Sequence, residues 1–193
     1  MEIHGELSRL VIKEGPRRVL GMPLFLNLFG SVKALPAAYI LGRFRRVYFE
    51  DERFRDVAMA LCADCTADGR DGAEIVGRAL AVEAYYNTIA HDVAALAPGI
   101  DSIAVPCFTG ALGEAVAKRA REVEPGLTIV AAKLGAGDCA WADAVYSPPP
   151  QPLPLPRALR LGPASLAVLS TALRASEEHG LYSTLALLTD WGA

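Results

Sequence analysis

At 193 residues the chain suffices for one sizeable core and not for two domains of ordinary size. Its 19 basic and 22 acidic residues leave a formal charge of −3 without a long block of like charge, so composition gives no electrostatic footprint for nucleic acid. Hydrophobic residues reach 52%, but the longest apolar stretch, Val19 to Gly42, holds Lys33 and is broken by Gly21, Pro23, Asn27, Gly30 and Pro36, which argues against a bilayer helix. The start, MEIHGELSR, has acidic residues before any apolar run and lacks the order of a secretory signal, so a cytoplasmic protein without a membrane partner is expected.

In chain order, Ile3 to Lys13 alternates as a strand or hairpin arm and ends at Gly15-Pro16. Met22 to Leu28 is an apolar run, and Ser31 to Leu41 reads as a helix that confines Pro36 to its first turn or kinks there. Arg43, Arg45 and Arg46 around Phe44 read as a solvated turn. Arg46 to Glu50 is a short strand, and Glu52 to Ala63 places Phe54, Val57, Ala58 and Leu61 on one face of an amphipathic helix. After a loop over 66–72, Ala73 to Ala84 and Thr88 to Leu96 read as two more helices.

Residues 101–133, DSIAVPCFTGALGEAVAKRAREVEPGLTIVAAK, spell a strand, glycine loop, helix and strand. Ser102 to Val105 is apolar and β-branched. Thr109-Gly110-Ala111-Leu112-Gly113 is small and flexible, and Ala111 to Val123 has helical periodicity with Lys118, Arg119, Arg121 and Glu122 outward. Leu127 to Ala132 is too uniformly apolar for a half-exposed strand, so it belongs inside a parallel sheet covered on both faces. A helix start after a glycine turn presents free N–H groups and a positive dipole end, which suits a phosphate or carboxylate. An unoccupied tight turn is the plain alternative.

A polar-start segment, Asp138 to Val145, follows. Ser147 to Pro156 carries six prolines in ten residues and must run as an extended connector. Ser165 to Glu178 is a helix closed by His179-Gly180, and Tyr182 to Leu188 is a last apolar strand. Strands alternating with helices and no internal repeat predict an α/β fold, three-layered and doubly wound around a mainly parallel sheet.

Four cysteines occur, two as Cys62-Ala63-Asp64-Cys65. Such a pair can be redox-active at a helix start or can supply half of a zinc site. A metal set would draw on Cys107 and Cys139 at irregular spacing, with no histidine nearby in sequence, so no metal is expected. Buried, unreactive thiols are the default expectation; bridges Cys62–Cys65 and Cys107–Cys139 stay open. His91 reads as lying on a polar helix face, with His4 and His179 peripheral.

Three places match one family in order. Residues 22–41, MPLFLNLFGSVKALPAAYIL, resemble the segment bearing the Schiff-base lysine in pyridoxal-phosphate enzymes of the tryptophan synthase β, threonine synthase and cysteine synthase type (fold type II). Residues 101–133 resemble their phosphate-cradling unit, and residues 163–192 their closing helix, strand and "LTG-x-G" turn; YYNTIAHDVAAL is similar to their N-x-x-T-I helix. The resemblance implies the larger lobe of that fold with the smaller one reduced, residues 46–97 being its remnant in a single domain over 1–193 and 147–156 a connector. It implies pyridoxal phosphate as cofactor, Lys33 as catalytic residue after Gly30-Ser31, and Ser31, Thr109, Gly110, Ala111, Leu112, Gly113 and Thr189 as further cofactor ligands. Thr189 would face the ring nitrogen. The family's S-G-N-T loop aligns to Ala63-Asp64-Cys65-Thr66, which puts Cys65 at its Asn.

An active protein would then be a lyase or transferase acting on an amino acid, by β-elimination or replacement, and a homo-oligomer such as a dimer. The alternative is a catalytically degenerate relative that works through self-association or a partner protein; an unrelated small α/β enzyme is a third class. Plain readings are a Lys33 with its stem packed and amine in solvent, and Thr189 as a strand-end cap. Leu134-Gly135-Ala136-Gly137-Asp138 is similar to the G-A-G-D of sugar kinases, although Cys139-Ala140-Trp141 lacks the glycine-containing helix start.

Overall fold

The computed structural model describes residues 10–13, 17–24, 30–147 and 161–190. The proline-rich connector, apart from Ser147, lies outside them, as do His4 and most of the first expected strand. Six strands form the main sheet: β1 (Leu10–Lys13), β2 (Arg18–Pro23), β5 (Ser102–Cys107), β6 (Thr128–Lys133), β7 (Ala144–Tyr146) and β8 (Ser183–Leu188). Their order is β1-β2-β8-β5-β6-β7, parallel throughout except for the antiparallel β1–β2 pair. A second, parallel two-stranded sheet joins β3 (Val47–Phe49) to β4 (Glu74–Val76), with a single bridge from Val47 to Thr66. Among the described residues there are also six helices: α1 (Ala34–Leu41), α2 (Glu52–Leu61), α3 (Arg78–Tyr86), α4 (Ile89–Ala94), α5 (Ala111–Val123) and α6 (Pro163–Glu178).

The central strands are apolar because both faces are covered. Successive side chains of a strand point to opposite faces. Leu20, Met22, Ile103, Val105, Leu185 and Leu187 therefore join one apolar cluster in which α5 lies against β5 and α3 and α4 lie against α5, while Val19, Ala104, Val130, Ala186 and Leu188 pack under α6. The first cluster continues into the small sheet through Val47, Phe49 and Val76, so one apolar body carries both sheets. Alanines on α5 (Ala115, Ala117, Ala120) and α6 (Ala172, Ala175) let these helices lie close to the strands.

Two expectations change. Glu74–Val76 is strand, not helix: it pairs with β3, and Gly77 then caps α3, which starts at Arg78 rather than at Ala73. The cysteines are not free thiols. Cys62 pairs with Cys65 and Cys107 with Cys139, and the first pair is only half-buried. Pro36 sits in the first turn of α1, where its missing N–H costs nothing. No described helix is long and apolar enough to cross a membrane.

β8 is the last strand in sequence and sits between β2 and β5, so it closes the sheet. Asp101 fixes its start by accepting the Tyr182 and Ser183 N–H groups at 2.7 and 2.8 Å. Leu187→Ala, at a fully buried position, should destabilise the fold by about 2–5 kcal/mol. Met59→Ala, on an exposed position of α2, should change it by less than about 0.5 kcal/mol. Urea midpoints of the two variants provide the check.

Candidate active site

In a parallel sheet the chain leaves every strand at the same edge, and ligands gather there. Beyond the carboxyl ends of β2, β8 and β5 lies a cleft of about 1120 Å³. The segment after β2 brings Gly30, Ser31 and Lys33 to it, β8 brings Thr189 and Asp190, and β5 brings Phe108, Thr109, Gly110, Ala111 and Leu112. The opposite wall comes from the ends of β3 and β4, with Glu50, Asp51, Glu52 and Arg53 on one and Gly77 and Arg78 on the other. Of the eight residues singled out in the sequence, seven line this cleft. Gly113 does not: it lies under Trp141, whose ring occupies the space a Cβ would need.

Lys33 precedes α1, and its N–H donates to Ser31 Oγ at 3.2 Å, a local bond that shapes the turn. Its side chain is 18% exposed, and Nζ lies 5.7 Å from the centre of the Phe54 ring. Phe54 in turn stands between Phe49 and Tyr85 at ring separations of 5.1 and 6.0 Å, so the lysine stem rests on an aromatic floor. Nζ donates to Asp51 Oδ2 at 2.7 Å. The other oxygen, Oδ1, accepts the Phe54 N–H at 3.1 Å and makes Asp51 the N-cap of α2. One carboxylate thus holds a helix end and an amine. Burial pushes the Asp51 carboxyl up, but the Lys33 hydrogen bond and charge, with the Phe54 and Arg53 amides, outweigh it and hold the group below its ordinary value. Burial, with the Asp51 charge adding to it, pushes the Tyr85 phenol far above its ordinary value, so that hydroxyl keeps its proton at neutral pH.

At the other end, Gly110 caps α5 in the left-handed region at φ +88°. The amides of Ala111 and Leu112 are among those a helix leaves without an internal acceptor, and both residues border the cleft. A rigid buttress stands behind this turn. Gly137 N–H donates to Phe108 O at 2.7 Å, Leu134 N–H donates to Cys107 O at 2.9 Å, and the Cys107–Cys139 bridge ties the two loops covalently. A Cβ at Gly137 would run into the Phe108–Thr109 backbone. The Gly-Ala-Gly-Asp stretch therefore has a structural task here. Arg78 clamps the same turn from α3, donating from Nη1 to Thr109 O at 3.2 Å and from Nη2 to Glu114 Oε2 at 2.7 Å.

Thr189 faces the cleft beside Asp190, whose carboxylate accepts the Ala164 and Ser165 N–H groups at 3.1 and 2.6 Å and so caps α6 from a distance. The Ala63–Thr66 loop does not border the cleft. The turn that faces Lys33 is Glu50–Arg53, at the start of α2 rather than after its end, and this replaces the alignment of Cys65 with an Asn. Sequence reasoning missed Asp51, Arg78, Tyr85 and Asp190. For Asp51 a signal existed: Asp before Glu52 and the Phe54 periodicity is an N-cap pattern. For Arg78 and Asp190 none did, because their partners lie 31 and 25 residues away. Among the described residues no group of three His, Cys, Asp or Glu comes together as a metal site.

The depressed Asp51 carboxyl has a signed consequence. A carboxylate held below its unfolded value stabilises the fold above that value, and the increment is lost as pH falls through the lower, folded value. The stability gap between the native chain and Asp51→Asn should be constant near neutral pH, below about 1 kcal/mol because the pair is partly exposed, and should close only below the ordinary aspartate range. Urea midpoints measured between neutral pH and that acid range test this.

No protein-family profile matches the chain, and no curated protein matches it in sequence. Solved structures do. The crystal structure of O-ureido-L-serine synthase superposes with a TM-score of 0.69 at 14% identity, over 97% of this chain and 90% of its own. O-acetyl serine sulfhydrylase isoform 3 from Entamoeba histolytica gives 0.71 at 13% identity, over 97% and 86%. At such identity the likeness concerns architecture, and this chain has the α/β fold of the serine sulfhydrylase type.

Proposed function

We propose that the cleft holds pyridoxal phosphate, and that the protein is a shortened relative of the pyridoxal-phosphate-dependent lyases and synthases that act on amino acids. The observation that carries this reading is the convergence of the Lys33 amine and the Thr109–Leu112 turn on one cavity of about 1120 Å³. Its size suits a cofactor with a small substrate. The donor set suits it too: the cleft has one lysine, a helix start whose glycine cap leaves main-chain amides at the surface, and a hydroxyl at Thr189.

In this reading the amides of Ala111 and Leu112, with the Thr109 hydroxyl, take the phosphate; Gly113, under Trp141, supports the turn and makes no contact with it. Thr189 would hold the ring nitrogen, and Lys33 would supply the amine facing the cofactor's aldehyde and the base that moves protons at the substrate. The bound cofactor supplies an electron sink for bond cleavage beside the substrate nitrogen. Phe108, Phe54 and Tyr85 give the cleft apolar lining. One structural neighbour is named for making O-ureido-L-serine and the other for acting on O-acetyl serine, which favours replacement or elimination at the β-carbon. A second reading, a non-catalytic relative that self-associates, draws on one observation: Asp51 occupies the Lys33 amine, and Glu50 and Glu52 stand on the same turn.

Titration with pyridoxal phosphate separates the two. The first predicts a visible absorption band, absent in Lys33→Ala, and a borohydride-fixed mass increment on Lys33. Gly110→Val, which strains the left-handed cap, should weaken cofactor binding at least about tenfold while leaving Lys33 in place. A colourless protein that remains dimeric on dilution would favour the second.

A further inference from the structure

We propose that Asp51 is a specificity-determining residue for carbonyl compounds that react at Lys33: it admits those that are neutral around the carbonyl and disfavours those with a carboxylate beside it. The inference needs Lys33 to be reachable from the cleft and stands apart from the cofactor reading. Its basis is the double engagement of one carboxylate. Oδ2 meets Lys33 Nζ at 2.7 Å, while Oδ1 is held by the Phe54 N–H at 3.1 Å. Asp51 therefore cannot swing away from the amine without uncapping α2.

A ligand carboxylate brought to Lys33 must share the amine with a fixed negative charge. The other walls do little to offset this. Glu50, Glu52 and Arg53 flank Asp51 on the same turn, but all three are exposed and screened by solvent, and Glu50 is paired with Arg70 at 3.0 Å, so Asp51 is the fixed charge at the amine. Arg78 is engaged by Glu114 and Thr109 O, the Asp190 carboxylate caps α6, and the Tyr85 hydroxyl is neutral. The anion-favouring amides lie across the cleft, at the start of α5. The carbonyl compound that fits is one whose negative charge is remote from its reacting carbon.

Reductive alkylation tests this without any cofactor. Lys33 Nζ bonds to the carbonyl carbon of a small aldehyde, the carbonyl oxygen leaves as water, and cyanoborohydride delivers hydride to the C=N bond. Glycolaldehyde and glyoxylate are similar in size and differ in the carboxylate. Exposed Lys118 serves as internal reference for their intrinsic reactivities. By peptide mass spectrometry, the Lys33-to-Lys118 labelling ratio should be about fivefold higher with glycolaldehyde than with glyoxylate. Asp51→Asn keeps a capping oxygen and removes the charge, and Asp51→Ser caps without reaching the amine, so both should bring the two ratios together. High salt should narrow the difference in the native chain and leave the variants unchanged, a response that loss of the cap alone would not produce. If both variants lose their circular dichroism signal, the native salt series decides. Equal ratios in the native chain, a difference untouched by salt, or folded variants that keep the full difference would overturn the proposal. Failure to bind pyridoxal phosphate would leave it standing.

Discussion

Everything at the cleft depends on the burial of β2, β8 and β5 on both faces. Strands covered above and below can offer polar groups only where they end, and parallel strands all end at one edge. The polar residues that follow Pro23, Cys107 and Leu188 are thereby delivered to a single place, although they lie far apart in sequence. The position of β8 matters most. As the last strand it wedges between β2 and β5, and only then do Lys33, Thr109 and Thr189 border a common space. The small β3–β4 sheet contributes by the same rule, since its parallel strands also end at the cleft and bring Asp51 and Arg78.

The two ends of the cleft are electrically distinct. At the α5 end, main-chain amides and a clamped guanidinium face the cavity, an arrangement that favours negative charge. At the Lys33 end, the corresponding helix start is already satisfied by its own Asp51, which takes the lysine as well. The difference follows from the caps. Gly110 offers no side-chain acceptor, so its helix start leaves amides open to the cleft, whereas Asp51 turns the start of α2 inward to the protein. Two helix starts, one capped by a left-handed glycine and one by an extended aspartate, thus face the cleft differently, decided by one residue each.

Most of this architecture was legible in the sequence. Ala111 to Val123 is bounded as its pattern predicted because glycine before it and Pro125-Gly126 after it are local signals. The uniform apolarity of Leu127 to Ala132 reported two-sided burial, which β6 has. Glu74–Val76 misled because Ile75 and Val76 fit either period, and only pairing with β3, a contact made at long range, decides for a strand. The free-thiol expectation failed for a similar reason. Cys107 and Cys139 are 32 residues apart, and only the packing of the 134–141 loop against the end of β5 brings them together. Lys33 and the glycine turn were visible through motif order, whereas Asp51's hold on the lysine required the fold.

The Cys107–Cys139 bridge and the glycines around it form one device. A turn with few glycines carries side chains where its backbone would otherwise lie bare, and Phe108 adds a large one at the cleft. Such a turn keeps its amides in place only if it is held from behind. Gly135 and Gly137 let the supporting loop approach to hydrogen-bonding distance, Trp141 fills the space left by Gly113, and Arg78 closes the open side. The bridge then prevents the two loops from separating. In a chain-entropy account, closing a span of 32 residues is worth about 3–4 kcal/mol, comparable to a large buried side chain. Stiffness that a glycine-rich loop would obtain from close backbone packing is supplied here by a covalent tie and a ring. The same tie keeps the start of α5 aimed at the cleft, which the positive end of a helix must be if it is to meet an anion there.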